Sequence, residues 1–385
     1  MNTQHRILMG QSISKKPRTA VRELHAAIAM PDMALVIFFC SSHYDLFAIA
    51  SEMNTLFPDV LVVGCTTAGE IGTAGSLHYS LSGVSFSTHG FTAVAGHHDI
   101  LQEFNRENGK EFANDLLQQL EEKKSNTGPE NTFGFMLIDG ISKREEPVVS
   151  AFQNALGNIG LFGGSASDDQ EFKTTWVFCN GAFHTDSVVL ILINTIYPFK
   201  LFKAQHFISG QEKLVVTKAD ASRRVIYEIN GLPAAEEYAR HVGVKVSDLS
   251  TTQFAAYPLV VRINGMDYVR SIQSANADGS MLFYCAIDTG IVFRIAQGVD
   301  LITNLKETFD SIHSEIGQPQ VVIACDCLLR NLEIARTHLK EPVEEIFKKN
   351  NVVGFHTFGE QFMGVHINQT ITGLAIGELG KKDHD

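Results

Sequence analysis

Uninterrupted apolar runs and helix-spaced apolar positions follow one another in a fixed order along this chain. "ALVIFFC", ending at Cys40, carries no polar residue, the mark of a strand buried on both faces. It is followed by "YDLFAIASEMNTLF", with apolar residues at helical spacing, and then by a second strand-like run, "DVLVVG", ending at Gly64. The same order appears twice more. "FGFMLID" precedes "REEPVVSAFQNALG" and "IGLFGGSASDD", and "QVVIAC" precedes "LLRNLEIARTHLKEPVEEIFKK" and "NVVGF". Cys40 lies 24 residues before Gly64, and Asp139 lies 24 residues before Gly163; the last copy is longer by a few residues. Each copy predicts strand–helix–strand with a glycine-rich turn after the second strand, the pattern of a parallel crossover.

The first and last copies also share a nonapeptide. "VVGCTTAGE" (Val62 to Glu70) and "VVGFHTFGE" (Val352 to Glu360) both read V-V-G-x-x-T-x-G-E. Thirteen residues beyond each glutamate comes another glycine between apolar residues, Gly83 in "LSGVSFS" and Gly373 in "ITGLAIG". Such self-similarity at matched spacing indicates duplicated units.

A different texture runs from about Lys213 to Gly298. Short β-type runs such as "KLVVTKA", "RVIYEI", "PLVVRI", "MLFYCAI" and "IVFRIAQ" are separated by turn signals, including Asn264-Gly265 and Asp278-Gly279. Two helices join them. One is "LPAAEEYARHV", with Pro233 in its first turn and Gly243 as its stop, and the other is "VDLITNLKETFDSIHSEIG". The expected fold class is mixed α/β: repeated strand-helix-strand units forming mixed sheets, plus a C-terminal part with an antiparallel meander and flanking helices. The expected domains are residues 1–212 and 213–385. The polar stretch Glu121 to Asn131 is the best loop.

With 385 residues, 44% of them hydrophobic and 19% charged, the chain can bury a sizeable core. Its net charge of −12 argues against general binding to nucleic acid or to an anionic membrane surface. No apolar run is long enough to span a bilayer, and the N-terminus has no signal-peptide pattern, so the expected compartment is the cytoplasm. The six cysteines sit mostly inside apolar runs and read as reduced core thiols.

Several groups are candidates for chemistry. Gly64, Thr67, Gly69 and Glu70, with Thr357, Gly359 and Glu360, form turns that either cradle a ligand or serve only as capped turns. "GGSASDD" (Gly163 to Asp169) reads as a polar site rim or, equally, as a capped turn. Cys325-Asp-Cys327 on a strand points both sulfurs to one face and Asp326 to the other; without a second ligand pair it is no zinc site by itself. No Gly-x-Ser-x-Gly elbow is present, and no serine or cysteine comes with a recognisable base. Among the histidines, His5, His43, His313, His338 and His384 read as solvated, and His97-His98 beside Asp99 as a turn. His241 lies on a helix three residues after Tyr238. His356 and His366 flank "TFGEQFMGV", with Phe355, Phe358, Phe362 and Met363 as large apolar neighbours. An imidazole among aromatics and a methionine suits an axial haem ligand, and equally a buried core histidine. With no C-x-x-C-H, any haem would be held non-covalently.

The segments "VVGCTTAGEIG", "LSGVSFS", "GLFGGSASDD", "VIYEINGLPAAEEYARHVG", "CDCLLR", "VVGFHTFGEQF" and "HINQTITGLAIG" together resemble the FIST family, across both its N- and C-terminal halves. The resemblance implies intracellular signal transduction by small-ligand sensing, with no catalytic act. No kinase, cyclase or chemoreceptor segment accompanies the pattern, which is similar to the free-standing, nitric-oxide-sensing haem subgroup. That likeness implies b-type haem, nitric oxide as signal, a partner histidine kinase in a two-component system, and control of biofilm behaviour; an oligomer is left open. The family usually has an aromatic residue at the position of His356, which makes His356 the first choice for the haem iron, with His366 and His241 as alternatives and Phe355, Phe358, Phe362 and Met363 as the pocket wall. Two other readings stand beside it: a haem-free metabolite sensor using the glycine turns, and a hydrolase or lyase using Glu360 and a nearby histidine.

Overall fold

The computed structural model describes residues 6–263 and 265–379. His5, His384 and Asn264 lie outside the described residues. The chain divides into two compact bodies: a repeat body of Met1–Lys203, Lys306–Val365 and Ile371–Asp385, and an inserted module of Ala204–Leu305 with His366–Thr370. The spatial division therefore does not follow a linear cut at residue 212. The last repeat belongs with the first two, and the module enters between that repeat's first strand, Phe199–Ala204, and its first helix, Leu301–Ile316.

Within the repeat body the three copies share one plan. In the first, strand Ile7–Ser12 is followed by helix Pro17–Ile28, strand Met33–Ser41, helix Leu46–Leu56, strand Leu61–Thr67, a short hairpin (Glu70–Gly72 and Gly75–Leu77) and strand Leu81–Ser87. The middle copy repeats this from Phe91–His98 to Val188–Thr195, with its hairpin at Val177–Cys179 and Ala182–His184. The last runs from Phe199–Ala204 to Ile371–Ile376. Its extra length is a second helix: one is predicted from Leu328 to Lys349, but Leu328–Arg336 and Lys340–Lys349 are separate. His338 takes φ +59° between them, and Pro342, with no N–H to donate, falls in the first turn of the second.

Each copy builds a four-stranded mixed sheet in the same order. The first copy's is Ile7–Ser12, Leu81–Ser87, Met33–Ser41, Leu61–Thr67, and the last two strands are parallel. The hairpins are exchanged. The first copy's hairpin strand Glu70–Gly72 pairs with Val352–Thr357 of the last copy, whose own Glu360–Phe362 pairs with Gly160–Ser165 of the middle copy. The middle copy's Val177–Cys179 returns to Leu61–Thr67 of the first. The exchange closes a three-membered ring.

Burial on both faces explains the unbroken apolar runs. Leu35, Ile37 and Phe39 face a core shared by all three sheets, with Phe133, Phe135, Val321, Ile323 and Phe355. The alternate residues Val36, Phe38 and Cys40 meet helix residues Val21, Leu24, Ile49 and Met53 on the other side. All six cysteines are buried, and none forms a disulfide.

The inserted module is a nine-stranded antiparallel sheet, predominantly of residues Leu214–Gly298. Helix Ala234–Val242 packs Ala234, Ala235 and Tyr238 against Ile226, Leu259 and Phe293. Gly243 ends the helix at φ +78°, as its sequence position predicts, while Pro233 caps the helix rather than opening its first turn. No helix among the described residues is long and apolar enough to cross a membrane.

Candidate functional site

The three turns that follow the parallel strands meet in the repeat body. His356 N donates to Gly69 O (2.8 Å), Ser165 N to Gly359 O (2.8 Å) and Thr66 N to Trp176 O (2.9 Å). A second ring runs the other way: Ala68 N to His356 O (3.1 Å), Phe358 N to Ser165 O (3.3 Å) and Ser167 N to Thr66 O (3.0 Å). The duplicated glycines make this approach feasible. A Cβ on Gly64, Gly163 or Gly354 would lie 2.5, 2.3 or 1.9 Å from a carbonyl oxygen of the neighbouring strand.

Inside the turns, Thr67 donates to the carboxylate of Glu70, and Thr357 donates likewise to Glu360. Both threonine oxygens also receive a backbone amide, from Gly69 (3.3 Å) and Gly359 (3.1 Å), and both glycines have positive φ. Ser80 completes Glu70 through its amide (2.8 Å) and hydroxyl (2.7 Å). Burial pushes the Glu70 carboxyl up to about 7. The turn residues are thus engaged in holding the ring. In the middle copy Val177 occupies the corresponding hairpin position, and Asp139, just past the strand Thr132–Ile138, supplies a carboxylate that accepts from Thr175 (2.5 Å) and Asp186 N (2.6 Å). In the "GGSASDD" segment, Asp168 caps its loop by accepting from Phe172 N (2.9 Å), Lys173 N (2.7 Å) and Thr174 N (2.9 Å). Asp169 lies between His43 (2.6 Å) and His78 (3.5 Å), so the half-exposed His43 ring also contacts a carboxylate.

His356 is 1% exposed. Its Nε2 lies 2.6 Å from Ser76 Oγ, and its Nδ1 lies 3.5 Å from Asp326 Oδ2. Asp326 in turn accepts from Arg330 (2.8 Å). Although burial opposes ionisation, Arg330 and His356 hold the Asp326 carboxyl below the ordinary range. Protein groups thus face both ring nitrogens of His356, the nearer of them the Ser76 hydroxyl. Its predicted wall disperses. Phe355 stacks on Phe39 in the core (4.7 Å), Phe358 stacks on Phe172 (4.3 Å), Phe362 packs at the core's edge, and Met363 is 47% exposed.

The other two candidates lie in the inserted module. His366 is buried, and its carbonyl accepts from Arg270 (3.0 Å). His241 lines a cavity of about 450 Å³ whose wall is mixed, with Ile208, Leu214 and Ile295 beside the polar Ser209, Gln211 and Gln297. Its Nδ1 lies 2.9 Å from Glu237 O, and its Nε2 lies 3.4 Å from Glu212, another cavity residue. Arg240 also approaches Nε2 (3.4 Å); a ring whose Nδ1 lies against a carbonyl is oriented as metal-ligating histidines commonly are.

A metal-competent group was not singled out from sequence. His97, Asp99 and His184 place ligand atoms within 4.8 Å of one another. His97 and His98 end the strand Phe91–His98 and do not form a turn. His184 comes from the exchanged hairpin, and nothing in the sequence links it to Asp99.

A body of three hairpin-exchanging repeats with an inserted antiparallel module defines the class. The FIST N domain model matches residues 34–232 and the FIST C domain model residues 234–363, so the chain belongs to the FIST family, whose domains are signal-transduction sensor domains. None of the curated proteins matches it in sequence. Among solved structures it is similar to the cyanuric acid hydrolase from A. caulinodans (8% identity, 97% of this chain and 99% of that one, TM-score 0.40). It is also similar to a chorismatase (9% identity, 96% and 98% covered, TM-score 0.36). Likenesses this remote carry no functional argument.

Proposed function

We propose that the chain is a small-ligand sensor that holds b-type haem at His241 and responds to nitric oxide, like the haem-binding sensors called NosP. The observation that supports this reading is the His241 ring beside a cavity of about 450 Å³, within the usual size range of ligand pockets. When bound, haem supplies an iron centre to which nitric oxide binds. The remaining steps belong to the chain. His241 would hold the haem, with its Nδ1, 2.9 Å from Glu237 O, orienting the ring. Glu237 is itself fixed: Arg240 bonds both its oxygens (2.7 and 2.8 Å), and Asn230 donates at 2.9 Å. Arg240 holds the Glu237 carboxyl down at about 2. The His241 ring is thus tied to a rigid, charged cluster at the helix Ala234–Val242, and a shift of the ring would bias two states of different ligand affinity. The output is regulation of a partner histidine kinase.

The test is an absorption spectrum of the full chain after incubation with haem. A stoichiometric Soret band that shifts with nitric oxide is expected. It should be lost in His241→Ala and kept in His356→Ala and His366→Ala. A protein that stays colourless, or an unchanged band in His241→Ala, overturns the assignment.

A further inference from the structure

We infer that Ser76, His356 and Asp326 form a nucleophilic triad able to transfer acyl groups from activated carboxylic esters or thioesters. The order of groups is Ser76 Oγ, 2.6 Å, His356 Nε2; His356 Nδ1, 3.5 Å, Asp326 Oδ2; Asp326 Oδ1, 2.8 Å, Arg330. This is the hydroxyl–imidazole–carboxylate sequence that activates a serine, recognised by geometry and not by chain order. Among the described residues, Nδ1 of His356 and Oδ2 of Asp326 are buried and have no other hydrogen-bond partner, so each is available only to the other. Such contacts are often long in the resting state and tighten in the complex.

Comparison between the repeats sets this group apart. Asp326 is in register with His356, whereas the equivalent cross-strand pairs are Cys40 with Thr66 and Ile138 with Ser165. A buried imidazole and carboxylate appear in the last copy alone, and the serine is delivered there by the first copy's hairpin. Ser76 sits on Gly75–Leu77, the edge strand of its sheet, and is half-buried, so a substrate has an open side from which to approach. Its own amide donates to Glu344 Oε1 (3.1 Å). That N–H is assigned as the oxyanion donor, with Glu344 occupying it in the resting state.

The chemistry balances without a redox partner. Ser76 Oγ attacks the acyl carbon while its proton passes to His356 Nε2, and the carbonyl electron pair moves to oxygen. Collapse breaks the bond to the leaving alcohol or thiol, which takes the proton from Nε2. Water, deprotonated by Nε2, then cleaves the acyl–Ser76 ester, and the proton returns to Oγ. Asp326 and Arg330 are positioning residues: they hold the ring and offset its transient charge.

The test uses the full chain and a fluorophosphonate probe, which forms an Oγ–P bond with loss of fluoride. One adduct is expected, mapped by peptide mass to Ser76. It should be absent in Ser76→Ala, a change that removes only a hydroxyl and should leave the circular dichroism unchanged. His356→Gln should slow labelling at least about 100-fold, the usual weight of a general base. Glu344→Ala should speed labelling several-fold by freeing the Ser76 amide. No adduct on the wild type, equal labelling in Ser76→Ala, or wild-type rates in folded His356→Gln overturns the triad. An unchanged or slower rate in Glu344→Ala overturns the oxyanion assignment. The assay needs no haem, so its outcome is independent of the sensor reading.

Discussion

The amide of His356 donates to the carbonyl of Gly69 at 2.8 Å, so the two copies of the repeated nonapeptide hold each other. Because every sheet in the repeat body also borrows a hairpin, no copy can satisfy its backbone alone. Folding of this body should be cooperative across all three copies. Trp176, the single tryptophan of the chain, lies at the ring, where its carbonyl accepts from Thr66, and reports on it.

Gly354→Ala tests that cooperativity. The added Cβ would lie 1.9 Å from the Ala324 carbonyl oxygen, a strand backbone that cannot swing aside. We expect a loss of about 3 kcal/mol or more, at the upper end for overpacked sites. Urea unfolding followed by Trp176 fluorescence should shift as one transition. A variant as stable as the wild type would contradict the close approach, and separate transitions for the copies would contradict the exchange.

Glu70 makes stability depend on pH in an unusual direction for a carboxylate. Burial raises its folded pKa to about 7, so the folded state binds the proton more tightly than the unfolded chain. That contribution is present below the unfolded value near 4.5 and is lost as pH rises through about 7. The shift corresponds to roughly 3 kcal/mol at 1.36 kcal/mol per unit. Glu70→Gln keeps an acceptor for Ser80 without a titrating proton. It should flatten the decline between pH 5 and 8; a parallel decline would place its cause elsewhere.

The thiols should be silent in the native state. Burial pushes Cys40, Cys65 and Cys325 well above the ordinary thiol range, and all six cysteines are buried. Thiolate is the reactive form, so Ellman's reagent should titrate none of them in native protein and six in denaturant. Rapid native reaction at Cys325 or Cys327 would revive a redox role for that pair.

The repeats were legible because a strand covered on both faces tolerates no polar residue, which makes "ALVIFFC" and "FGFMLID" conspicuous. Gly64 and Gly354 were legible as architecture because only glycine admits the neighbouring carbonyl. The hairpin exchange was not legible. Gly75–Leu77 is three residues long, too short for periodicity, and its partner is chosen by tertiary geometry. Hence Ser76 and His356, 280 positions apart, could not be matched, and no nucleophile could be named. Placing Phe355, Phe358, Phe362 and Met363 in one wall beside His356 treats sequence neighbours as spatial ones. On a strand Phe355 and His356 point to opposite faces, and Phe355 belongs to the central core. His241 was visible as a helix residue facing Tyr238's side, but its cavity is formed by strands far away in sequence.

Arg330 and Asp326 form an ion pair with both side chains almost fully buried, at 3% and 1% exposure. Such a pair adds little net stability against an apolar replacement, yet removing one partner is costly because the other charge stays buried. Arg330→Ala should therefore destabilise the repeat body by about 3–5 kcal/mol. Asp326→Asn in that background should recover part of the loss, because an amide needs no counter-charge. The pH dependence distinguishes this from simple loss of packing. The Asp326 carboxyl is held below its ordinary range in the fold, so its contribution is present above the unfolded value near 3.8 and lost as pH falls through the lower folded value. Without Arg330 that depression should shrink, and acid should then stabilise the variant relative to the wild type. Trp176-monitored unfolding at pH 7 and pH 4 reads both effects. The gap between Arg330→Ala and wild type should be smaller at pH 4; an equal gap would mean that the guanidinium acts by packing alone.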